Sequence, residues 1–274
     1  MSAWPFDART EVPPAVYLGR VGEIFATFDA RTQDSGNVSF GVAASGRRWF
    51  VKTAGDPADS KPFLPHAARV GLLLNARRLA QAVSHPALVE LRGVAESAWG
   101  PMLIYDWVNG ELVGGSSRRN DPESAFQRFR RRPVDELRAA IDVILDAHLK
   151  LCAGGWVACD FYDGAILYDF AARKVRLIDL DSYHFGPFTN DMGRLFGSTR
   201  FMAPEEFERG ARIDERTTVF NLGRMISEFL GGGNLSAESF RGHPQQHLIM
   251  VKACRPNPDD RYQSVAELVR AWRA

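Results

Sequence analysis

Sulfur is the first thing this chain lacks. Its three cysteines, Cys152, Cys159 and Cys254, are odd in number and show no Cys-x-x-Cys spacing. That excludes a disulfide framework and a cysteine zinc site, and it fits a reducing compartment. Lysine is nearly as scarce, with Lys52, Lys61, Lys150, Lys174 and Lys252 the only examples. A lysine inside a strand-like run therefore stands out. Charge of one sign is also missing: a formal net charge of +1 leaves no field to attract nucleic acid or an anionic membrane. No apolar run approaches the roughly 18 residues that span a bilayer. Met1 to Pro14 has no basic region followed by an apolar stretch, so no signal peptide is expected. The expectation is a cytoplasmic protein with neither nucleic acid nor membrane as partner.

What is present is enough for a filled core. A chain of 274 residues, 45% apolar and 24% charged, makes one large domain or two lobes. Residues 1–20 read as an irregular, proline-punctuated extension. Val21–Phe28, Asn37–Ala44 and Arg47–Thr53 read as three strands in an antiparallel meander, the last two joined by a tight Ser45-Gly46 turn. Ala67–Val83 carries apolar residues at Val70, Leu73, Leu74, Leu79 and Val83, a helical spacing. Ala87–Val94 and Pro101–Trp107 complete the strand-rich third. Arg118–Arg132 is a strongly charged segment with Phe126 and Phe129 interleaved, read as a solvated helical face or loop that also suits phosphate. Val134–Leu151 is an amphipathic helix on Leu137, Ile141, Ile144, Leu145 and Leu149, ended by Gly154-Gly155. Val157–Asp160, Ile166–Asp169 and Val175–Asp179 are short strands. Glu215–Leu230 is a second long helix, stopped by the glycines at 231–233, and Ser264-x-x-Glu267 caps the last one.

Several residues sit where chemistry would need them. Lys52 ends the third strand, where a cation can neutralise phosphate oxygens. Just upstream, Gly36-Asn37-Val38-Ser39-Phe40-Gly41 offers two glycines that let backbone amides turn toward an anion, with an aromatic tip to exclude water. Asp160, at a strand end, can accept a proton from an attacking hydroxyl. Asp179 and Asp181, after the apolar run Val175–Ile178, can hold a hard cation. A buried Glu205–Arg261 ion pair would tie the segment after these aspartates to the last helices; two separate solvated charges are the alternative.

Taken in chain order, these features resemble the protein-kinase superfamily, in particular bacterial Ser/Thr protein kinases, from about Val21 to the C-terminus. Phe201-Met-Ala-Pro-Glu205 looks like the Ala-Pro-Glu motif, and Pro258-Asp-Asp-Arg261 like the late arginine that pairs with its glutamate. Leu177-Ile-Asp179 is similar to the start of the Asp-Phe-Gly motif, and Leu103–Glu111 to the fifth strand and hinge. The resemblance implies an α+β, two-lobed protein-kinase-like fold: an extension at 1–20, a small antiparallel-sheet N-lobe at 21–107 and a larger helical C-lobe at 108–274. It implies an ATP-dependent phosphotransferase, using Mg²⁺ or Mn²⁺, acting on a Ser/Thr hydroxyl of a protein. Lys52 would then contact the α- and β-phosphates, Asp160 would orient the substrate hydroxyl, and Ser198 would bond Asp160. Asp179 would bind the metal. Gly36, Asn37, Ser39, Phe40 and Gly41 would cover the phosphates, while Asp106, Val108 and Glu111 belong to the adenine-binding hinge.

The chain departs from the pattern at the catalytic loop. Ala158-Cys159 replaces His-Arg, Tyr162 replaces a lysine, and Ala165 replaces the asparagine that ligates metal. No glutamate lies in Ala67–Val83 to pair with Lys52, and Thr218 stands where a helical aspartate is expected. Asp163 or Asp181 is the candidate replacement for the missing metal ligand. Two other readings follow: a nucleotide-binding pseudokinase or scaffold, motivated by these losses, and a small-molecule kinase, which the Ala-Pro-Glu segment disfavours.

Overall fold

The computed structural model describes residues 4–29, 36–59, 63–114 and 119–274. The chain forms two compact units, Met1–Ser84 with Val89–Val108, and His85–Leu88 with Asn109–Ala274. The first is a sheet with two helices, the second is mainly helical with short strand pairs. This is the α+β composition of a two-lobed, kinase-like fold.

In the first unit, β1 (Arg9–Thr10), β2 (Glu23–Phe28), β3 (Val38–Ala44), β4 (Arg47–Thr53), β5 (Leu91–Ser97) and β6 (Met102–Asp106) form one sheet in the order β1-β5-β6-β4-β3-β2. The expected meander is present: β2 pairs with β3 and β3 with β4, all antiparallel. Ser45 and Gly46 have φ of 52° and 71°, and Ala44 pairs with Arg47. Two positive φ values in a two-residue loop match the right-handed twist of the flanking strands. Helix α1 (Pro14–Val21) and β1 were not expected, because residues 1–20 read as irregular. The helix is short, begins on Pro13-Pro14, and buries only Pro14, Tyr17 and Leu18. Two-residue β1 joins the sheet by running parallel to β5. Phe6, Tyr17, Leu18, Phe40, Val42, Trp49, Val51 and Ile104 share one core. Helix α2 (His66–Ala82) lies on a second cluster with Leu73, Ala76 and Leu103, while Leu74 is turned out and 49% exposed.

In the second unit, α3 (Ala125–Arg130) follows β7 (Glu111–Leu112), and α4 (Val134–Ala153) follows α3. Leu137, Ile141, Ile144 and Leu145 of α4 are wholly buried. Then come β8 (Trp156–Val157), β9 (Ile166–Asp169), β10 (Lys174–Leu177), β11 (His184–Phe185), β12 (Phe188–Thr189) and β13 (Arg212–Ile213). They form the pairs β8–β11 and β12–β13 and the three-stranded β10-β9-β7. Helix α5 (Glu215–Gly231) buries Val219, Leu222, Met225, Ile226 and Phe229 completely, so it is central in this unit. Its C-cap, Gly232, has φ of 67°, the left-handed cap that glycine adopts without strain. Helices α6 (Pro244–Ala253) and α7 (Val265–Arg273) pack on α5. No helix among the described residues is long and apolar enough to cross a membrane.

Candidate functional site

In the second unit, Asp160 lies beyond β8 and Asp179 beyond β10. Both have φ of 58°. Left-handed backbone is uncommon outside glycine, and such residues persist where the surroundings over-determine them. The determinants are visible here. The Ala158 N–H donates to Thr218 Oγ1 at 2.9 Å, which anchors the first loop to α5. Thr218, standing where the resemblance expects an aspartate, thus has a hydroxyl that accepts from this loop. The Ile178 N–H donates to the Ala165 carbonyl at 3.0 Å, tying the residue before Asp179 to the end of the Asp160 loop. His148, fully buried in α4, holds both loops from beneath. Its Nδ1 faces the Ile144 carbonyl at 2.8 Å, which only accepts, so Nδ1 carries the proton. Its Nε2 then accepts from the Tyr183 hydroxyl at 2.8 Å, and its ring meets Phe161 edge-on at 4.5 Å. Burial pushes the His148 pKa down to about 4, so the ring is neutral.

The acidic residues have unequal surroundings. Asp179 is exposed, Asp160 half-buried and Asp181 buried. Asp163 is completely buried, and guanidinium groups occupy its carboxylate. Arg200 donates to both of its oxygens at 3.0 Å, and Arg119 donates to Oδ2 as well. A carboxylate held this way is part of an ion-pair network, and a metal role for Asp163 would require it to leave these arginines. The two arginines also bridge Glu228 of α5. Among the described residues no three His, Cys, Asp or Glu side chains converge as a metal cage. Magnesium does not need one, because it is commonly held by one or two carboxylates with substrate phosphates and water. Asp179 and Asp181 fit that partial role.

The segment after the aspartates is gripped by one polar row of α5. Thr217 Oγ1 donates to Glu205 Oε1 at 2.8 Å. Asn221 Nδ2 donates to the Phe201 carbonyl at 3.0 Å and to Glu206 Oε2 at 2.9 Å, and Arg224 Nε donates to the Arg200 carbonyl at 2.7 Å. The expected Glu205–Arg261 pair is present, bidentate at 2.6 and 2.8 Å and almost fully buried. Gly197 has φ of 140°, and a Cβ there would lie 3.6 Å from the Asp160 Cα, so this segment runs directly against the Asp160 loop. The carbonyl of Ser198, the next residue, accepts from Phe201 and Met202 at 2.8 and 3.2 Å. Glu206 is buried among these groups. Desolvation raises its pKa to about 7, against the lowering effect of hydrogen bonds from the Ala203 N–H and Asn221.

In the first unit, Lys52 is buried in β4, opposite Ser39 of β3 and Leu103 of β6. The glycine segment divides differently from the expectation. Gly36, with φ of 86°, and Asn37 precede β3, whereas Val38–Gly41 are paired strand residues. Phe40 is a core residue at 6% exposure and Ser39 is fully buried, so neither is a loop tip. Strand alternation directs Phe40 inward, beside Thr27 and Val51. Most of the polar turn, 30–35, lies outside the described residues. Gly41 is tight for a different reason: a Cβ there would come within 2.9 Å of Phe25 and Trp107. In place of the glutamate expected in α2, the helix carries Arg69, which is 1% exposed. Its guanidinium donates to the carbonyls of Gly36, Ala54 and Asp56 at 2.7, 2.6 and 3.1 Å. Asp106 ends β6 with its carboxylate between Arg47 and Arg92 at 2.7 and 2.6 Å, and Val108 lies just beyond it. Glu111 belongs to β7 of the other unit, where it pairs with Arg128.

The chain is similar to serine/threonine-protein kinases. Identity to serine/threonine-protein kinase PknB of Mycobacterium leprae is 24% over 229 residues, 71% of this chain and 35% of that protein. For PknB of Mycolicibacterium smegmatis it is 25% over 230 residues, with the same coverage. For PknB of Mycobacterium tuberculosis it is 25% over 233 residues, 71% of this chain and 34% of the kinase. The match spans about a third of the length of these curated relatives. No family model matches the chain. The similarity supports a kinase-like phosphotransferase at a distance.

Thr218, His148, Arg69, Asn221 and Arg224 were not singled out as site-building residues. One signal was available: polar residues at 217, 221 and 224 repeat at helical spacing in α5. Arg69, by contrast, looks like any other arginine in a chain that prefers arginine.

Proposed function

We propose that the chain is an ATP-dependent phosphotransferase that moves the γ-phosphate to a serine or threonine hydroxyl of a protein. The observation that carries this reading is the pair of left-handed aspartates, Asp160 and Asp179, on loops tied to each other through Ile178 and Ala165 and anchored on α5. In the proposed step the substrate oxygen bonds to the γ-phosphorus, the bond to the β–γ bridging oxygen breaks, and ADP leaves. Asp160 orients the hydroxyl and takes its proton, with Ser198 assisting. Asp179, with Asp181, holds Mg²⁺ or Mn²⁺, whose contribution when bound is to neutralise phosphate charge. Lys52 contributes charge at the α- and β-phosphates, the Gly36–Gly41 segment covers them with Gly36 and Asn37 ahead of its strand, and the backbone of Asp106 and Val108 serves adenine. Residues 21–107 would be the nucleotide-covering part and 108–274 the catalytic part. The experiment is ATP turnover with Mg²⁺ or Mn²⁺ for wild type and Asp160→Ala. Loss of turnover in the variant supports the reading, and equal rates overturn it.

The occupied Asp163 and the side chain of Ala165 favour a second reading, nucleotide binding without transfer. Thermal stabilisation by nucleotide, with no phosphate appearing on protein or small-molecule hydroxyls, would select it.

A further inference from the structure

The groups gathered beside the Asp160 loop are predominantly cationic. Arg119 and Arg200 both bridge Asp163 and Glu228. Arg224 donates to the carbonyls of Arg200 and Gly233 at 2.7 and 3.2 Å. Arg241 donates to the carbonyls of Arg130 and Arg132 at the end of α3. With Arg130 itself, five guanidinium groups surround two carboxylates. Both carboxylates are already bridged, so a basic ligand finds no free acceptor among them.

Arg130 is the least engaged member. Among the described residues its guanidinium makes no hydrogen bond or ion pair, and its Nε is buried with no partner. Arg119 and Arg130 both contact the ring of buried Phe126, 3.2 and 5.6 Å from its centroid. The cap glycine leaves space for the guanidinium: a Cβ on Gly232 would sit 2.8 Å from Arg130 Nη2. Desolvation and the neighbouring charge of Arg241 push the Arg130 pKa down; the Glu228 carboxylate acts the other way, and Arg119 adds to the lowering. Glu228 offsets part of the cost of the neighbouring cations without a hydrogen bond to Arg130, so the half-buried guanidinium keeps donors for a second anion, and guanidinium–carboxylate or guanidinium–phosphate contacts are the strong, forked kind.

We propose that this cluster, centred on Arg130, recognises an acidic polypeptide segment, rich in Asp, Glu or phosphoserine, flanking the hydroxyl presented to Asp160. The proposal rests on the phosphotransferase reading for the identity of the segment as substrate. It adds the sign of the charge that substrate carries. Asp163 stands three residues beyond Asp160, so recognition and chemistry share one loop.

The test is fluorescence anisotropy of short labelled peptides with a central serine, titrated with the full chain. Three sets of flanks are compared: Glu and Asp, phosphoserine, and Lys and Arg. The acidic sets bind, with affinity falling as salt rises. The tighter of the two identifies carboxylate or phosphate as the anion. Arg130→Gln lowers that affinity about tenfold, the loss of one charge-assisted contact, while Arg130→Lys keeps part of it and both variants melt like wild type. Equal or tighter binding of the basic peptide, unchanged binding by a folded Arg130→Gln, or tighter binding of a single-stranded oligonucleotide overturns the proposal. Phosphate transfer is scored on the same peptides. Transfer to basic peptides alone overturns acidic recognition and leaves the phosphotransferase reading standing. Acidic binding without ATP turnover does the reverse.

Discussion

Glu206 stands beside the Ala-Pro-Glu glutamate, and its titration sets a measurable pH dependence. Its pKa rises from 4.5 unfolded to about 7 folded, chiefly through desolvation. A folded value above the unfolded one means stability that is complete below pH 4.5 and lost as pH rises toward 7. At 1.36 kcal/mol per pKa unit, that loss is about 3 kcal/mol. His148 acts in the opposite sense. Its pKa falls from 6.5 to about 4, so its contribution is complete above pH 6.5 and lost as pH falls toward 4. Between pH 4.5 and 6.5 the two slopes nearly cancel in the wild type. Glu206→Gln keeps an oxygen for the Ala203 N–H and for Asn221, yet does not titrate. Urea unfolding across this range is expected to show the variant gaining on wild type by about 3 kcal/mol as pH rises from 4.5 to 7.5. A constant offset between the two would show that Glu206 titrates normally.

The element that matters most is α5, because its polar residues organise the loops around Asp160 and Glu205. Thr218→Val keeps the shape of the side chain and removes the acceptor for the Ala158 N–H. The expected cost is about 1–3 kcal/mol of stability, the price of a buried unmade hydrogen bond. Thr218→Ser keeps the hydroxyl and is expected to stay within about 1 kcal/mol of wild type. Chemical denaturation of the two variants distinguishes them, and equal losses would mean that the methyl, not the hydroxyl, is what the site needs. The sequence-level reading of this region was uneven for a physical reason. Helix α5 and the Glu205–Arg261 pair are legible because apolar periodicity and a long-range motif survive without neighbours. The acceptor role of Thr218 is not, since nothing in the residues around a helical threonine says which backbone N–H its hydroxyl meets. The burial of Phe40 was illegible in the same way: Val38–Ala44 pairs as a strand throughout, as read, but nothing local says that Ser39 and Phe40 are both buried.

For the whole molecule, the cysteines offer a probe of global opening. All three lie in the second unit. Burial raises the pKa of each thiol, Cys254 to about 12 and Cys152 and Cys159 further, with Glu215 adding at Cys152 and Glu206 at Cys159. Since the thiolate is the reactive form, labelling by a thiol-specific disulfide reagent at pH 8 is expected to be negligible in the folded chain. It should become complete only in denaturant, at the midpoint reported by circular dichroism. Labelling of one thiol well below that midpoint would reveal a locally opening segment. The broad plan of strand-rich and helical parts was readable from periodicity alone. The N-terminal 20 residues were not, because a two-residue strand and an eight-residue helix carry too few repeats to show a period.

Arg69 has a mechanical consequence. One planar group reaches Gly36 before β3 and Ala54 and Asp56 after β4, so a single side chain rivets α2 to both strands at the open end of the hairpin. A helix fastened at three carbonyls cannot pivot as a lever on the sheet; helix and hairpin must shift as one plate. Any signal passing through α2 would have to shear that rivet first, and the amides of β3 and β4 would then exchange their hydrogens together rather than strand by strand.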